Sequence, residues 1–278
     1  MDERIRTMHH DHDHDRGLAF DLPRLLDRRG VLGMLGGAVL LGAVGCGDDD
    51  RSAATTSPVI SEGPGAPPPG TASAGGEIPD ETAGPYPGDG SNGPNVLTES
   101  GVVRGDIRSS FGSATGTAQG VPLTVELTVT ADGTPYKGAA VYLWHCDREG
   151  RYSLYSEGVT AENYLRGVQE AGADGKVRFT TVFPGAYAGR WPHIHFEVYA
   201  TLKDATSASE GVKTTQLAFP EDVCRKVYAT SGYERSITNL SGSSLETDNV
   251  FSDGHASQLA ALTGNTRTGY TARLAVPV

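Results

Sequence analysis

From Glu77 onward, apolar and polar positions alternate in short runs. Val121 to Thr130 sets Val and Leu at every second position between Thr and Glu, and Lys176 to Phe183 repeats the pattern. Gly138 to Asp147 carries Val-Tyr-Leu-Trp-His-Cys, and His193 to Ala200, Lys213 to Phe219 and Thr271 to Val276 are further short runs bounded by Gly, Asp and Pro turns. A period of two with such turns predicts strands. Helical patterns are scarce: Glu221 to Ala229 and Ala256 to Leu262 read as short helices. No internal repeat is present. The expectation is a mainly β chain, a β-sandwich with few short helices.

The stretch before this pattern reads differently. Residues 1–46 are expected to be an export signal: paired Arg28-Arg29 precede a Gly-rich apolar run from Val31 to Val44, shorter than a membrane span. The run ends at Ala43-Val44-Gly45-Cys46, small residues before a cysteine, as at a bacterial lipoprotein processing site, so Cys46 is the expected lipidated residue. A plain signal peptide cleaved nearby is the alternative. The paired arginines resemble a twin-arginine signal, the route for proteins exported already folded, which suits a cofactor loaded in the cytoplasm. The His-rich tract from Met8 to Asp15 belongs to this leader and receives no mature role. Residues 47–77 lack the large apolar side chains needed to offset ordering entropy and are expected to be a disordered tether. Residues 78–278 are the expected folded domain, and the location is extracellular or cell-surface.

The candidate chemistry centres on Pro184 to Val198. On a strand, His193 and His195 project to the same face as Glu197 and Tyr199, while Ile194, Phe196 and Val198 form the apolar face. An isolated His-x-His is best read as a solvated pair on an edge strand. Here Tyr187 precedes His193 by six positions, on a loop able to fold back over the strand, and Tyr152 follows another strand at Gly150-Arg151-Tyr152. Two tyrosinates and two neutral imidazoles suit a hard, highly charged ion such as ferric iron better than zinc.

These residues resemble the intradiol ring-cleavage dioxygenases, which include catechol and protocatechuate dioxygenases. The ordered motifs are Thr82-Ala83-Gly84-Pro85-Tyr86, Gly150-Arg151-Tyr152, Asn163-Tyr164-Leu165-Arg166-Gly167, Asp174 to Phe179, Pro184 to His195 and Thr215-Gln216-Leu217-Ala218-Phe219. The resemblance implies a sandwich whose site is built from strand ends and loops, with non-haem Fe(III) bound by Tyr152, Tyr187, His193 and His195. It further implies a catecholic substrate cleaved with O2 between its hydroxylated carbons to a muconate-type diacid. Tyr187 would leave the metal as substrate arrives and help take up its proton, while Tyr152 stays. Arg190 matches the family's arginine beside the substrate ring, where a fixed guanidinium stabilises developing charge. Gln216 would donate a hydrogen bond near the site, and Tyr86 would line the substrate pocket, although a structural tyrosine closing a loop is nearly as good a reading. For Tyr164 and Arg166 the default is packing and a salt bridge. His145 reads as a satisfied structural histidine, and His255 is assigned nothing. The interval from Tyr187 to His193 is shorter than in the better-known soluble members, and no helical domain precedes the β region. Both features fit a compact secreted branch with a more open pocket for substituted or larger catechols.

Charge and cysteine count add bounds. With 34 Asp+Glu against 23 Lys+Arg, the formal charge is −11, and no clustered basic face suggests nucleic acid. Membrane contact is expected only through the lipid anchor, and a homo-oligomer stays open. With Cys46 given to lipid, Cys146 and Cys224 are left as a pair in an exported domain, where disulfides persist. A bridge between them would contribute about 4 to 5 kcal/mol in the chain-entropy model; two buried free thiols are the alternative. The rival functions are a non-catalytic β-sandwich lipoprotein binding carbohydrate or a protein partner, and a zinc or copper enzyme using His193 and His195.

Overall fold

The structure, a computed structural model, describes residues 77–207 and 210–278. The expected export signal, Cys46 and all of the tether but its last residue lie outside the described residues. Two sheets pack face to face. In the first, β1 (Pro122–Ala131) pairs antiparallel with β2 (Thr134–Pro135) and β5 (Lys176–Val182) and parallel with β9 (Gly269–Pro277), which pairs with β8 (Ala261–Asn265). The second has the order β4 (Arg166–Glu170), β3 (Ala140–Trp144), β6 (His193–Tyr199), β7 (Lys213–Ala218), all antiparallel. A short helix α1 (Leu202–Thr206) lies between β6 and β7, and α2 (Glu221–Tyr228) and α3 (Glu234–Ser241) lie on the connection from β7 to β8 of the first sheet.

Alternation explains the packing. Leu123, Val125, Leu127 and Val129 of β1 meet Val141 and Leu143 of β3 and Ile194, Phe196 and Val198 of β6 in one buried cluster. Burial of such side chains is worth about 1.5 to 3 kcal/mol each. The second sheet is also covered on its other face. There Tyr142, Trp144, Val168 and Tyr199 pack with Val96, Leu97 and Val102 from the segment preceding β1 and with Tyr152. A strap formed by residues 77–103 therefore closes the outer face. It is pinned by Ile78 N–H to Pro277 O and Glu81 N–H to Thr214 O, at 2.9 and 2.7 Å.

The sandwich agrees with the alternation, and the predicted strands stand within three residues of β1, β3, β5, β6, β7 and β9. β6 lies between β3 and β7 and both histidines are buried, so they are not the solvated edge-strand pair that an isolated His-x-His would give. Two expectations change. Ala256 to Leu262 is not a helix. Ala218 N–H donates to Gln258 O and Ala260 N–H to Ala218 O, so the chain runs beside β7 and then enters β8, tertiary pairing overriding a weak helical preference. Cys146 and Cys224 are buried free thiols rather than a bridge. Cys146 packs in the outer cluster against the Gly185 carbonyl, whereas Cys224 lies on α2 in the core between the sheets. Burial pushes both thiols up, away from the reactive thiolate. A Cys46→Ser chain, denatured without reductant, is expected to titrate as two thiols; none would restore the bridge.

Candidate metal and substrate site

The site grows from the outer face of β6. His193 and His195 are each 2% exposed, with Nε2 atoms 3.1 Å apart. The His195 ring stacks on Trp144 of β3, with centroids 5.0 Å apart and planes within 6°. The Trp191 carbonyl accepts a hydrogen bond from His193 Nδ1, which leaves Nε2 as the nitrogen bearing the lone pair.

Two loops bring the tyrosines. After β3, the Asp147 carboxylate accepts hydrogen bonds from the Glu149 and Arg151 N–H groups, Arg151 Nε and the Tyr164 hydroxyl, shaping the turn that delivers Tyr152. Gly150 has φ +82°, and a Cβ there would lie 3.1 Å from Ala186 O and 3.3 Å from Tyr187 Cβ. Glycine at this position lets the two tyrosine-bearing loops meet. The second loop is clamped by α3: Ser236 Oγ accepts from Ala186 N–H, and Asn239 Nδ2 donates to Ala186 O. The Tyr152 and Tyr187 hydroxyls then lie 3.5 and 3.3 Å from His193 Nε2.

Three donor atoms thus surround His193 Nε2 at 3.1 to 3.5 Å. Ligands about 2 Å from a shared ion stand roughly 3.3 Å from one another, so the spacing fits a cation. The hydrogen-bond pattern points the same way. His195 Nδ1 is buried without a hydrogen-bond partner. If His195 donates through Nε2 to His193, Nδ1 stays orphaned; if Nδ1 carries the proton, two lone pairs face each other. A cation between the Nε2 atoms removes the facing lone pairs and fixes the proton of His195 on Nδ1, on the side of the Thr82 backbone. Burial, reinforced by neighbouring positive charge, holds both histidines well below the usual imidazole range, in the neutral ligating form. Burial also pushes both phenols up, with Arg190 partly opposing this at Tyr187. Among the described residues no group of three or more His, Cys, Asp or Glu side chains is placed to hold a metal.

The other expected residues fall at different distances from this centre. Arg190 is buried, with Nη1 3.5 Å from His193 Nε2. Gln216 is beside it, but its amide is already engaged: Oε1 accepts from Arg190 Nη2 at 2.7 Å and Nε2 donates to Thr82 O at 2.9 Å. Gln216 therefore ties Arg190 to the strap. Tyr86 is half-buried, its ring 4.8 Å from that of Tyr152 and 5.3 Å from that of Tyr155. Glu197 shares the histidine face but accepts from Tyr199 and Thr214 and lines a separate acidic cleft with Asp80 and Asp89. His145 is satisfied at both nitrogens, by Cys146 O and Thr181 Oγ1, and burial lowers its pKa to about 4.

Among the described residues Arg166 forms no salt bridge of the kind expected. Its guanidinium donates to Tyr86 O, Pro87 O, Ser153 O, Ser153 Oγ and the Tyr142 hydroxyl, all neutral oxygens. It ties the strap to the Tyr152 loop, so Arg104 and Arg166 differ in kind from surface arginines: the first also spends its donors on carbonyls, of Arg166 and Ser109. Asp147, Ser236, Asn239 and Asp248 were not singled out in the sequence; a lone polar residue in a loop or short helix carries no local mark of its partners.

Comparison with known proteins resolves the family. A family model described as Dioxygenase matches residues 93–243, more than half of the chain. The chain belongs to the intradiol ring-cleavage dioxygenase family. Within the family, it is 43% identical over 57 residues to a catechol 1,2-dioxygenase of Acinetobacter lwoffii, covering 20% of this chain and 18% of that protein. It is 34% identical over 87 residues to a 6-chlorohydroxyquinol 1,2-dioxygenase of Cupriavidus pinatubonensis, covering 25% of this chain and 31% of that protein. The chain thus matches less than a third of the length of either curated relative. The solved intradiol ring-cleavage dioxygenase of Tetranychus urticae shares the fold, with a TM-score of 0.53 at 24% identity, over 64% of this chain and 87% of that one.

Replacing Arg166 by Leu is expected to destabilise the fold by about 3 kcal/mol or more, because several buried oxygens lose their donor at once. Denaturant unfolding checks this; a loss below about 1 kcal/mol, the worth of one ordinary hydrogen bond, would contradict the account.

Proposed function

We propose that this protein is a non-haem Fe(III) intradiol dioxygenase, cleaving a catechol ring with O2 between the two hydroxylated carbons to a muconate-type diacid. The observation that carries the reading is the convergence of the Tyr152, Tyr187 and His195 donor atoms on His193 Nε2. Family membership supports it. A sandwich that only binds carbohydrate or protein has no use for three buried donors and a half-buried fourth left facing one another.

The four side chains would hold the iron, which would supply the pull on a bound catecholate's electrons that opens a ring carbon to O2. The protein's own part is proton handling and charge placement. Tyr187 is the more exposed tyrosine and sits on a loop rather than under the strap, so it is the one able to swing away and take a substrate proton on its oxygen. Tyr152 is 1% exposed and stays. Arg190 Nη1, beside His193, faces the place where negative charge grows on the ring oxygens. The half-buried rings of Tyr86 and Tyr155 offer an aromatic wall, which supports acceptance of substituted or larger catechols.

Turnover of catechol under labelled oxygen gas tests the activity: the expected product is a ring-opened diacid carrying both oxygen atoms. A product with one labelled atom, or one cleaved outside the hydroxylated pair, would overturn it. Similar kcat/KM for catechol and an aryl-substituted catechol would support the wider pocket, and strict preference for unsubstituted catechol would sink that part.

Ferric affinity is also expected to depend on pH. Burial favours the neutral phenols, so forming two phenolates on metal binding releases two protons. Affinity then falls as pH falls, up to about 100-fold per unit. Chelator competition across pH 6 to 8, a range of roughly two units around neutrality, measures the slope; a flat profile would mean the phenols are not ligands.

A further inference from the structure

We propose that Asp248 is the positioning residue for Arg190, holding its guanidinium so that Nη1 is the edge presented to the donor set. The proposal deepens the dioxygenase reading and rests on it for its catalytic consequence. Asp248 comes from the segment between α3 and β8, far in sequence from the motif around Arg190, and its side chain is fully buried. Its carboxylate accepts from Arg190 Nε at 2.9 Å, Trp191 N at 2.7 Å, Val250 N at 2.9 Å and Phe251 N at 3.2 Å, with a longer contact to Arg190 Nη2 at 3.4 Å.

The fork geometry of arginine gives this arrangement its direction. Asp248 takes Nε and Gln216 Oε1 takes Nη2, so the Nε–Nη2 edge of the planar group is fixed by partners on different elements. The plane can then turn no further, and Nη1 is left 3.5 Å from His193 Nε2. Only an acceptor on both oxygens serves here. An asparagine in place of Asp248 would turn an NH2 group towards Arg190 Nε or the backbone N–H groups, and one of them would lose its partner. Because Trp191 N–H shares the Asp248 carboxylate, the same residue sets the entry of the chain into β6 two residues before His193. Phe251, adjacent on the Asp248 loop, places its ring 6.0 Å from the Arg190 guanidinium carbon and 6.5 Å from the His193 ring, closing that side.

The test compares wild type with Asp248→Asn in two states. In metal-free protein, nitrogen NMR is expected to show a slowly exchanging Arg190 Nε–H in wild type and its loss in the variant, with backbone amide dispersion retained. In iron-loaded protein, kcat for catechol is expected to fall about 10- to 100-fold, as for loss of one aimed donor. KM should change by less than about 3-fold, and iron content and the phenolate-to-iron absorption band should be retained. Unchanged kcat with a still-protected Nε–H would overturn the proposal. So would loss of iron in step with kcat, which would make Asp248 a general support of the fold. If wild type itself shows no turnover, the dioxygenase reading fails while the Nε–H comparison still judges the positioning. If Asp248→Asn does not fold, Arg190→Lys keeps the charge and removes the fork: the same kcat loss with iron retained supports the held orientation, and wild-type turnover overturns it.

Discussion

The structure depends on one strand being polar on its buried outer face. Ile194, Phe196 and Val198 lock β6 into the core between the sheets, which fixes the register and forces His193 and His195 to the other side. Left open, that side would be a solvated histidine pair. Here it is shut in by β3, β7, the strap and two loops, and shutting it in brings the two Nε2 nitrogens face to face, which a cation between them accommodates. The metal-site reading is therefore a consequence of burial as much as of residue type.

The enclosure is held by polar side chains that bond to backbone as well as to one another. Asp147 folds the Tyr152 loop, Ser236 and Asn239 grip the Tyr187 loop, Gln216 and Arg166 tie down the strap, and Asp248 sets Arg190 and the start of β6. All but Asp147 join segments distant in sequence. Such bonds contribute modestly when made and cost more when one partner is removed, so together they hold the donor set more firmly than loops alone would.

This division also explains what the sequence disclosed. Alternation in β1, β5 and β6 revealed the sandwich, because side-chain direction on a strand is set by the backbone. The Tyr152, Tyr187, His193 and His195 set was legible through its ordered motifs. What escaped reading depends on tertiary pairing: β4, which begins with a buried arginine, β8, whose start overlaps the 256–262 run that looks helical in isolation, and α3, rich in Ser, Thr and Asn. The cysteines were misjudged because pairing by count ignores position, and Cys146 and Cys224 belong to different packed clusters. Asp248 is the most telling omission, since nothing in its own surroundings marks it as the partner of Arg190.

The most direct test of the four-donor centre is the visible absorption of the purified protein with an iron assay, before and after catechol is added without oxygen. The account predicts one iron per chain and a phenolate-to-ferric band that shifts with catechol and is weakened or lost in Tyr152→Phe. A protein that stays colourless after ferric reconstitution, or a Tyr152→Phe variant with an unchanged band, would contradict it.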